Sequence, residues 1–433
     1  MSNYQVLKEK IIKKKAKICI IGLGYVGLPL AVDFAKRGFF VYGFDNNLLR
    51  VNKLKEAKQY IVDIDPKTIK ALIKAKKFLP TTERRVLADS DILIICVPTP
   101  LRKVKIPDIS YVVAASKLIK KYLRKSQLIV LESTSYPTTT REVVLPILEK
   151  SGLESEKDFF LCFSPERINP GDKKHTLAKI PKVVGGLSPK STSLAKALYS
   201  KIIKQVFSVS SPEVAESAKL LENTFRLVNI ALVNEFAIVA HKLGISIWEV
   251  IEAAKTKPFG FMPFYPGPGV GGHCIPADPM YLSWKAKKMG FKTKMIDSAA
   301  YIDHFMPRYV VERLEKSLKI RGVSLRKAKI LIVGVTYKKD VKDLRESPAL
   351  DIIEKLSKKS KVSFYDPLIP YLKINGINLK AVALSKSNLQ KYNCVVIVTD
   401  HSYLDYELIR KNSKFVFDTR NVYKRKYLNL EVL

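Results

Sequence analysis

Short apolar runs separated by amphipathic stretches open the chain: Ile18 to Ile21, Phe40 to Phe44, Ile92 to Val97 and Leu128 to Leu131. Uniformly hydrophobic runs of this length, alternating with segments of helical spacing, predict a parallel sheet covered by helices on both faces. Strand candidates at Phe159 to Phe163 and Val183-Val184 extend that sheet to about residue 208. There the periodicity changes. From Pro212 to about Leu243 apolar residues recur every three or four positions, with no glycine and no proline beyond the first turn, which predicts one long helix. Its start is marked by Pro212 at the first helical position and by Glu213, an acid where the helix dipole favours one. A helix of this length ordinarily spans two domains or builds a subunit interface.

A Pro/Gly-rich loop occupies 258–276, helical spacing resumes to about Gly322, and a strand-and-turn unit then echoes the first. AKILIVGVTY at 328–337 parallels AKICIIGLGY at 16–25, and KVSFYDP at 361–367 parallels FFVYGFDNN at 39–47, with an Asp closing the strand in each of the latter two. The expected fold class is α/β: two Rossmann-like domains with doubly wound parallel sheets, joined by a long central helix and a helical domain. The expected divisions are 1–208, 209–322 and 323–433.

With 433 residues and 47% hydrophobic content, the chain can bury several cores and is too apolar to be disordered. No apolar stretch approaches the ~20 residues of a membrane span, and the basic lead-in MSNYQVLKEKIIKKKAK lacks the apolar run of a signal peptide, so a soluble cytoplasmic protein is expected. The net charge of +36 raises the question of nucleic acid. The lysines are scattered as singles and pairs without interleaved aromatics, so no dedicated nucleic-acid site is expected. Of the five cysteines, Cys19, Cys96, Cys162 and Cys394 sit in strand-like runs and read as inert small hydrophobes. Cys274 is the exception.

Gly22-Leu23-Gly24-Tyr25-Val26-Gly27 follows a predicted strand and precedes a helix candidate at Leu28 to Arg37. Glycines there permit a tight turn and close backbone approach to a pyrophosphate, and the helix N-terminus supplies N–H donors. Asp45 closes the next strand; its carboxylate suits ribose hydroxyls and repels a 2′-phosphate, which favours NAD over NADP. The corresponding turn of the third segment, Gly334-Val335-Thr336-Tyr337, lacks the second and third glycines and should hold something else. Lys338, Lys339 and Arg345, with Ser347-Pro348 opening a helix, suit a nucleoside diphosphate, a solvated charge cluster being the alternative.

Three glycines in the five residues before His273-Cys274 would expose the thiol, with Asp278 four residues on as a carboxylate for proton handling. No metal is expected, because adjacent His and Cys is not a usual ligand spacing. Lys219 and Asn223 share a face of the long helix, where an ammonium and an amide aimed at one oxygen would form an oxyanion hole; solvent-facing residues would explain the pair equally well.

Taken together these residues resemble the UDP-sugar 6-dehydrogenases of the UDP-glucose/GDP-mannose dehydrogenase family, essentially end to end. GGHCIPADP at 271–279 is the most specific part, supported by GLGYVGLPLA at 22–31, VPTP at 97–100, ESTSYP at 132–137, SPER at 164–167, AKLLENTFR at 218–226, TYKKDVKDLRESPA at 336–349 and DTRN at 418–421. PFGFMPFYPGPGVGGHCIPADP and SPERINPGDKKH look most like members acting on UDP-N-acetylglucosamine. The resemblance implies a four-electron oxidation of the sugar C6 hydroxymethyl group with two NAD⁺, through a thiohemiacetal and a thioester on Cys274. Lys219 and Asn223 would stabilise the C6 oxyanion, Asp278 would handle protons, and Glu166 with Thr134 would position water. The cofactor site would comprise Gly22, Gly24, Tyr25, Val26, Gly27, Asp45, Thr99, Thr134 and Arg345. The substrate site would add Arg167, Tyr265, Gly271, Lys338 and Arg420 to Glu166, Lys219 and Asn223. A homodimer through the central helix is also implied. Two departures argue against UDP-glucose: Pro170 stands where members acting on it carry a second glutamate, and their upstream basic residue has Lys257 as its nearest match. A simple two-electron sugar dehydrogenase with a structural Cys274 is the runner-up.

Overall fold

The computed structural model describes residues 1–61, 64–102, 106–167 and 177–433. They form two compact units, Met1–Glu222 with Met280–Gly290, and Asn223–Pro279 with Phe291–Leu433. The first unit is built on an eight-stranded sheet: β1 (Lys17–Ile21), β2 (Phe40–Phe44), β3 (Phe78–Thr81), β4 (Ile92–Ile95), β5 (Gln127–Leu131), β6 (Phe159–Phe163), β7 (Lys182–Gly186) and β8 (Val206–Ser208), in the order β3-β2-β1-β4-β5-β6-β7-β8. Alternation splits each strand between two cores. Ile18 and Ile20 of β1 join one hydrophobic cluster, and Cys19 and Ile21 join another on the opposite face.

Neighbours from β3 through β6 run parallel, as the apolar runs predict. The β6–β7 pair departs from that expectation and is antiparallel, with Cys162 opposite Gly186 and Phe163 opposite Gly185. Parallel pairing needs a crossover element between strands, and the described residues between these two hold only the short turn Leu177–Lys179.

The second unit carries a wholly parallel five-stranded sheet from β9 (Lys329–Val333), β10 (Lys361–Tyr365), β13 (Cys394–Ile397), β14 (Val416–Asp418) and β15 (Leu430–Val432), in the order β10-β9-β13-β14-β15. A hairpin, β11 (Tyr371–Ile374) with β12 (Ile377–Lys380), stands apart from it. Here too β9 alternates, Ile330 and Ile332 entering one core and Leu331 and Val333 the other. The long helix is unbroken from Pro212–Leu243, and another runs Lys294–Ile320. Among the described residues no helix is long and apolar enough to cross a membrane.

Candidate active site

In the first unit, β1 delivers the chain into the glycine turn, and packing accounts for two of its glycines. Gly22 holds φ +95°, and a Cβ there would lie 2.5 Å from the Cys96 carbonyl oxygen; a Cβ on Gly27 would lie 1.9 Å from the Gly22 carbonyl oxygen. Gly24 differs: nothing lies within 4 Å of its Cβ position, so space rather than packing surrounds it. No side chain caps the helix Gly27–Lys36. An open glycine and an uncapped helix start fit a pyrophosphate. Tyr25 is exposed and Val26 half-buried in this turn. Asp45 is buried, its carboxylate accepting from the backbone N–H of Leu23 at 2.9 Å and of Asn47 at 2.9 Å, and from Arg50 Nη1 at 2.8 Å. It therefore pins the turn as well as retaining lone pairs for a ribose hydroxyl. Thr99 is buried and Thr134 half-buried; the Thr99 carbonyl accepts from the Tyr281 hydroxyl.

In the second unit, Cys274 is exposed, whereas the other four thiols are buried and their ionisation is suppressed, with burial the leading cause in each case. The loop predicted to run to 276 ends earlier, because Cys274 opens the helix Cys274–Lys288. Pro276 is tolerated in that first turn, where backbone N–H groups have no intrahelical partner. A thiolate at this position lies in the positive end of a helix dipole. One turn on, Asp278 is almost fully buried and accepts from Asn223 Nδ2 at 2.5 Å. Lys219, one turn before Asn223 on the long helix, is likewise buried.

The glycines before the thiol have a definite use. A Cβ on Gly271 would sit 2.6 Å from both the Glu346 carbonyl oxygen and Tyr337 Cβ, and one on Gly272 would sit 2.7 Å from the Tyr337 ring. Burial holds the His273 imidazole below its ordinary range, and the nearby Arg345 adds to that. Gly267 meets Arg420, whose Nη1 would lie 2.6 Å from a Cβ there, while Arg420 Nε donates to the Val398 carbonyl at 2.8 Å. Tyr265 stacks on Trp248, ring centroids 6.0 Å apart. Thus the residues Gly271, Cys274 and Asp278 lie on one continuous segment packed against the turn after β9, and Tyr265 and Arg420 border its upstream end.

That turn repeats the first unit's hydrogen bonding. Gly334 holds φ +81°, and Asp366, closing β10, accepts from the backbone N–H of Val335 at 2.7 Å as Asp45 does from Leu23. An additional buried residue, His401, accepts from the Asp340 backbone N–H at its Nδ1 (3.0 Å), so its proton sits on Nε2, 3.1 Å from Asp366. Lys338 is half-buried, and Arg345 closes its guanidinium on Asp343 at 2.6 Å within its own loop. Among the described residues, no group of three or more His, Cys, Asp or Glu could hold a metal.

Three family models match in succession: the NAD binding domain of the UDP-glucose/GDP-mannose dehydrogenase family at residues 16–203, its central domain at 213–304 and its UDP binding domain at 331–425. The chain belongs to that family. It is an NAD-dependent UDP-sugar dehydrogenase, and the glycine turn and Asp45 lie within the NAD-binding match. A UDP-N-acetyl-D-glucosamine 6-dehydrogenase of Pseudomonas aeruginosa is 41% identical over 359 residues, covering 82% of this chain and 84% of its own. One of Salmonella typhi is 37% identical over 391 residues, covering 89% and 90%. Among solved structures, the UDP-D-ManNAc dehydrogenase of Pyrococcus horikoshii superposes with a TM-score of 0.87 at 32% identity, covering 96% of this chain and 98% of its own.

In this dehydrogenase Glu166 is buried and lies 3.1 Å from the ammonium of Lys182, which also meets Glu132 at 3.0 Å. Arg167 pairs with Glu222 at 2.6 Å. Sequence reasoning gave no role to Lys182 or Glu132. The available signal was no more than a lysine opening the apolar strand KVVGG and an acid directly following QLIVL. Of the residues that argue against UDP-glucose, Lys257 is exposed with its ammonium 5.0 Å from the Phe259 ring, and Pro170 lies outside the described residues.

Proposed function

We propose that this dehydrogenase oxidises the C6 hydroxymethyl group of a UDP-N-acetylhexosamine, UDP-N-acetylglucosamine foremost, to the carboxylate by way of Cys274. The observation that carries the reading is an exposed thiol at a helix start, with a buried Asn223–Asp278 pair one helical turn on. Two NAD⁺ molecules in succession would be held by the Gly22 to Gly27 turn and Asp45, with Thr99, Thr134 and Arg345 as further contacts, and each would accept one hydride from C6. Cys274 adds as thiolate to the C6 aldehyde, and the resulting oxyanion is met by the Lys219 ammonium and by the Asn223 amide hydrogen not given to Asp278. Asp278 takes and returns the proton of that oxygen. Loss of the second hydride leaves a thioester. Water held by Glu166 and Thr134 adds to it, the thiolate leaves, and the carboxylate is released. Lys338 and Arg420 hold the diphosphate, with Arg167, Tyr265 and Gly271 around the sugar.

The division at 1–208, 209–322 and 323–433 assigns NAD to the first part, the thiol and subunit contacts to the second and UDP to the third. A homodimer through the long helix is supported by its exposed apolar stripe, Phe225, Leu232, Phe236, Val239 and Leu243.

UDP-N-acetylmannosamine is the second candidate, because the solved relative from Pyrococcus is named for it. The test presents UDP-N-acetylglucosamine, UDP-N-acetylmannosamine, UDP-N-acetylgalactosamine and UDP-glucose in parallel and follows NADH. The first should turn over fastest, with two NADH per sugar consumed. A single NADH per sugar would reduce the reaction to a two-electron oxidation, and preference for UDP-glucose would overturn the substrate assignment.

A further inference from the structure

The reversal of β7 has a chemical result. With Phe163 opposite Gly185 and the strands antiparallel, continuing the register sets Glu166 opposite Lys182, the first residue of β7. Ser164 Oγ donating to the Val183 carbonyl at 2.8 Å maintains that register past the strand end. Glu132 directly follows β5, the parallel neighbour of β6, so three strand ends deliver two carboxylates and one ammonium to a single point. Lys182 is 2% exposed, Glu132 1% and Glu166 8%. Each carboxylate gives one oxygen to Lys182. The second oxygen of Glu132 accepts from the Tyr199 hydroxyl, and that of Glu166 from the Arg167 backbone N–H at 2.6 Å.

A buried group with two anions and one cation is a poor way to stabilise a fold, since apolar residues of the same volume generally do as well or better. Its charge balance instead suits control of a carboxylate. Burial disfavours the ammonium of Lys182, and the two carboxylates more than offset it, holding Lys182 charged. Burial likewise drives the Glu132 carboxyl upward, with Lys182 opposing and Glu166 reinforcing. A proton entering the group therefore has Glu132 as a place to go.

We propose that Lys182 and Glu132 are positioning residues for Glu166: Lys182 orients its carboxylate through their ion pair, while Glu132, by sharing the same ammonium, weakens that hold. This rests on the reading that Glu166 works as a carboxylate in handling water. Among the described residues, Cys96 beyond β4 and Asp33 on the helix Gly27–Lys36 also act on Glu166, while Tyr199 bonds to Glu132.

The test compares pH profiles of kcat/KM for the full-length enzyme with NAD⁺ and UDP-N-acetylglucosamine. Glu132→Gln frees Lys182 to serve Glu166 alone and should move the acid limb down by about half to one pH unit. Lys182→Met should move it up by about one pH unit or more, and Lys182→Arg should restore it to near the parent position. A role in packing alone would lower kcat without displacing the limb in opposite directions. Limbs that coincide, or that move the same way in both variants, overturn the proposal. If Lys182→Met fails to fold by circular dichroism, the direction of the Glu132→Gln shift decides. Glu166→Gln separates the two levels: retained activity with an unchanged acid limb sinks the role of Glu166 itself. Lost activity there, without opposed shifts in the other variants, sinks only the positioning by Lys182 and Glu132.

Discussion

Gly272 donates its backbone N–H to the carbonyl oxygen of Arg345 at 2.9 Å, joining the segment that carries the thiol to the turn that carries the diphosphate candidates. At φ +86°, and with the Tyr337 ring 2.7 Å from where a Cβ would be, position 272 resists any side chain. Gly272→Ala should cost about 1–3 kcal/mol by strain at that backbone position alone and should slow alkylation of Cys274. Pairing it with Tyr337→Ala removes the ring and should return part of the lost stability. Thermal melts of the single and double variants check this, and a double variant no more stable than Gly272→Ala would show that the ring is not the obstacle.

The Asn223–Asp278 pair separates two effects. Asn223→Ala leaves a buried carboxylate one donor short, a penalty of about 1–3 kcal/mol read from denaturant unfolding. Asp278→Asn keeps the shape and removes the base, and should lower kcat by about 10²- to 10⁴-fold. Equal activity in Asp278→Asn and the parent enzyme would remove Asp278 from the chemistry.

Glu216, on the long helix, has its carboxyl pushed up to about 7 by burial, against three donors from Thr138 and Thr140 that favour the carboxylate. Because the folded-state value lies above the ordinary 4.5, the native state holds the proton more tightly than the unfolded chain. That stabilisation is complete below about pH 4.5 and is lost as pH rises through about 7, for a change on the order of 3 kcal/mol. Between pH 5 and pH 8 (about the span of the transition) the parent should therefore lose more Tm than Glu216→Gln. Parallel Tm curves for the two proteins would exclude Glu216 as the source.

Placing a charge on the apolar stripe tests assembly. Leu232→Glu or Phe236→Glu should convert a dimer into a monomer on size-exclusion chromatography with multi-angle light scattering, without loss of helix content. An unchanged molar mass would locate the subunit contact elsewhere, or show that there is none.

The strands were readable because each is a run of apolar residues with nothing but burial to explain it, as in ILII at 92–95 and KILIV at 329–333. The reversal at β7 was not, since KVVGG has the same texture whichever way it pairs. Likewise Cys274, Asn223 and Asp278 stood out by their type in an unusual setting. The Lys182 group did not, because a lysine at a strand end reads as a solvated residue until a register puts it opposite an acid. The helix start at Cys274 was hidden for a related reason: three glycines and two prolines around it signal a loop, and only the backbone reveals that the second proline sits in a first helical turn.

Four of the five cysteine thiols lie in cores, and one does not. In its folded form the enzyme should consequently behave toward a water-soluble disulfide reagent as though it had a single cysteine, with the remainder reporting only after denaturant is added. Colour released before and after unfolding then counts competent centres per chain, and protection of that first equivalent by nucleotide sugar measures occupancy without a label or an engineered site.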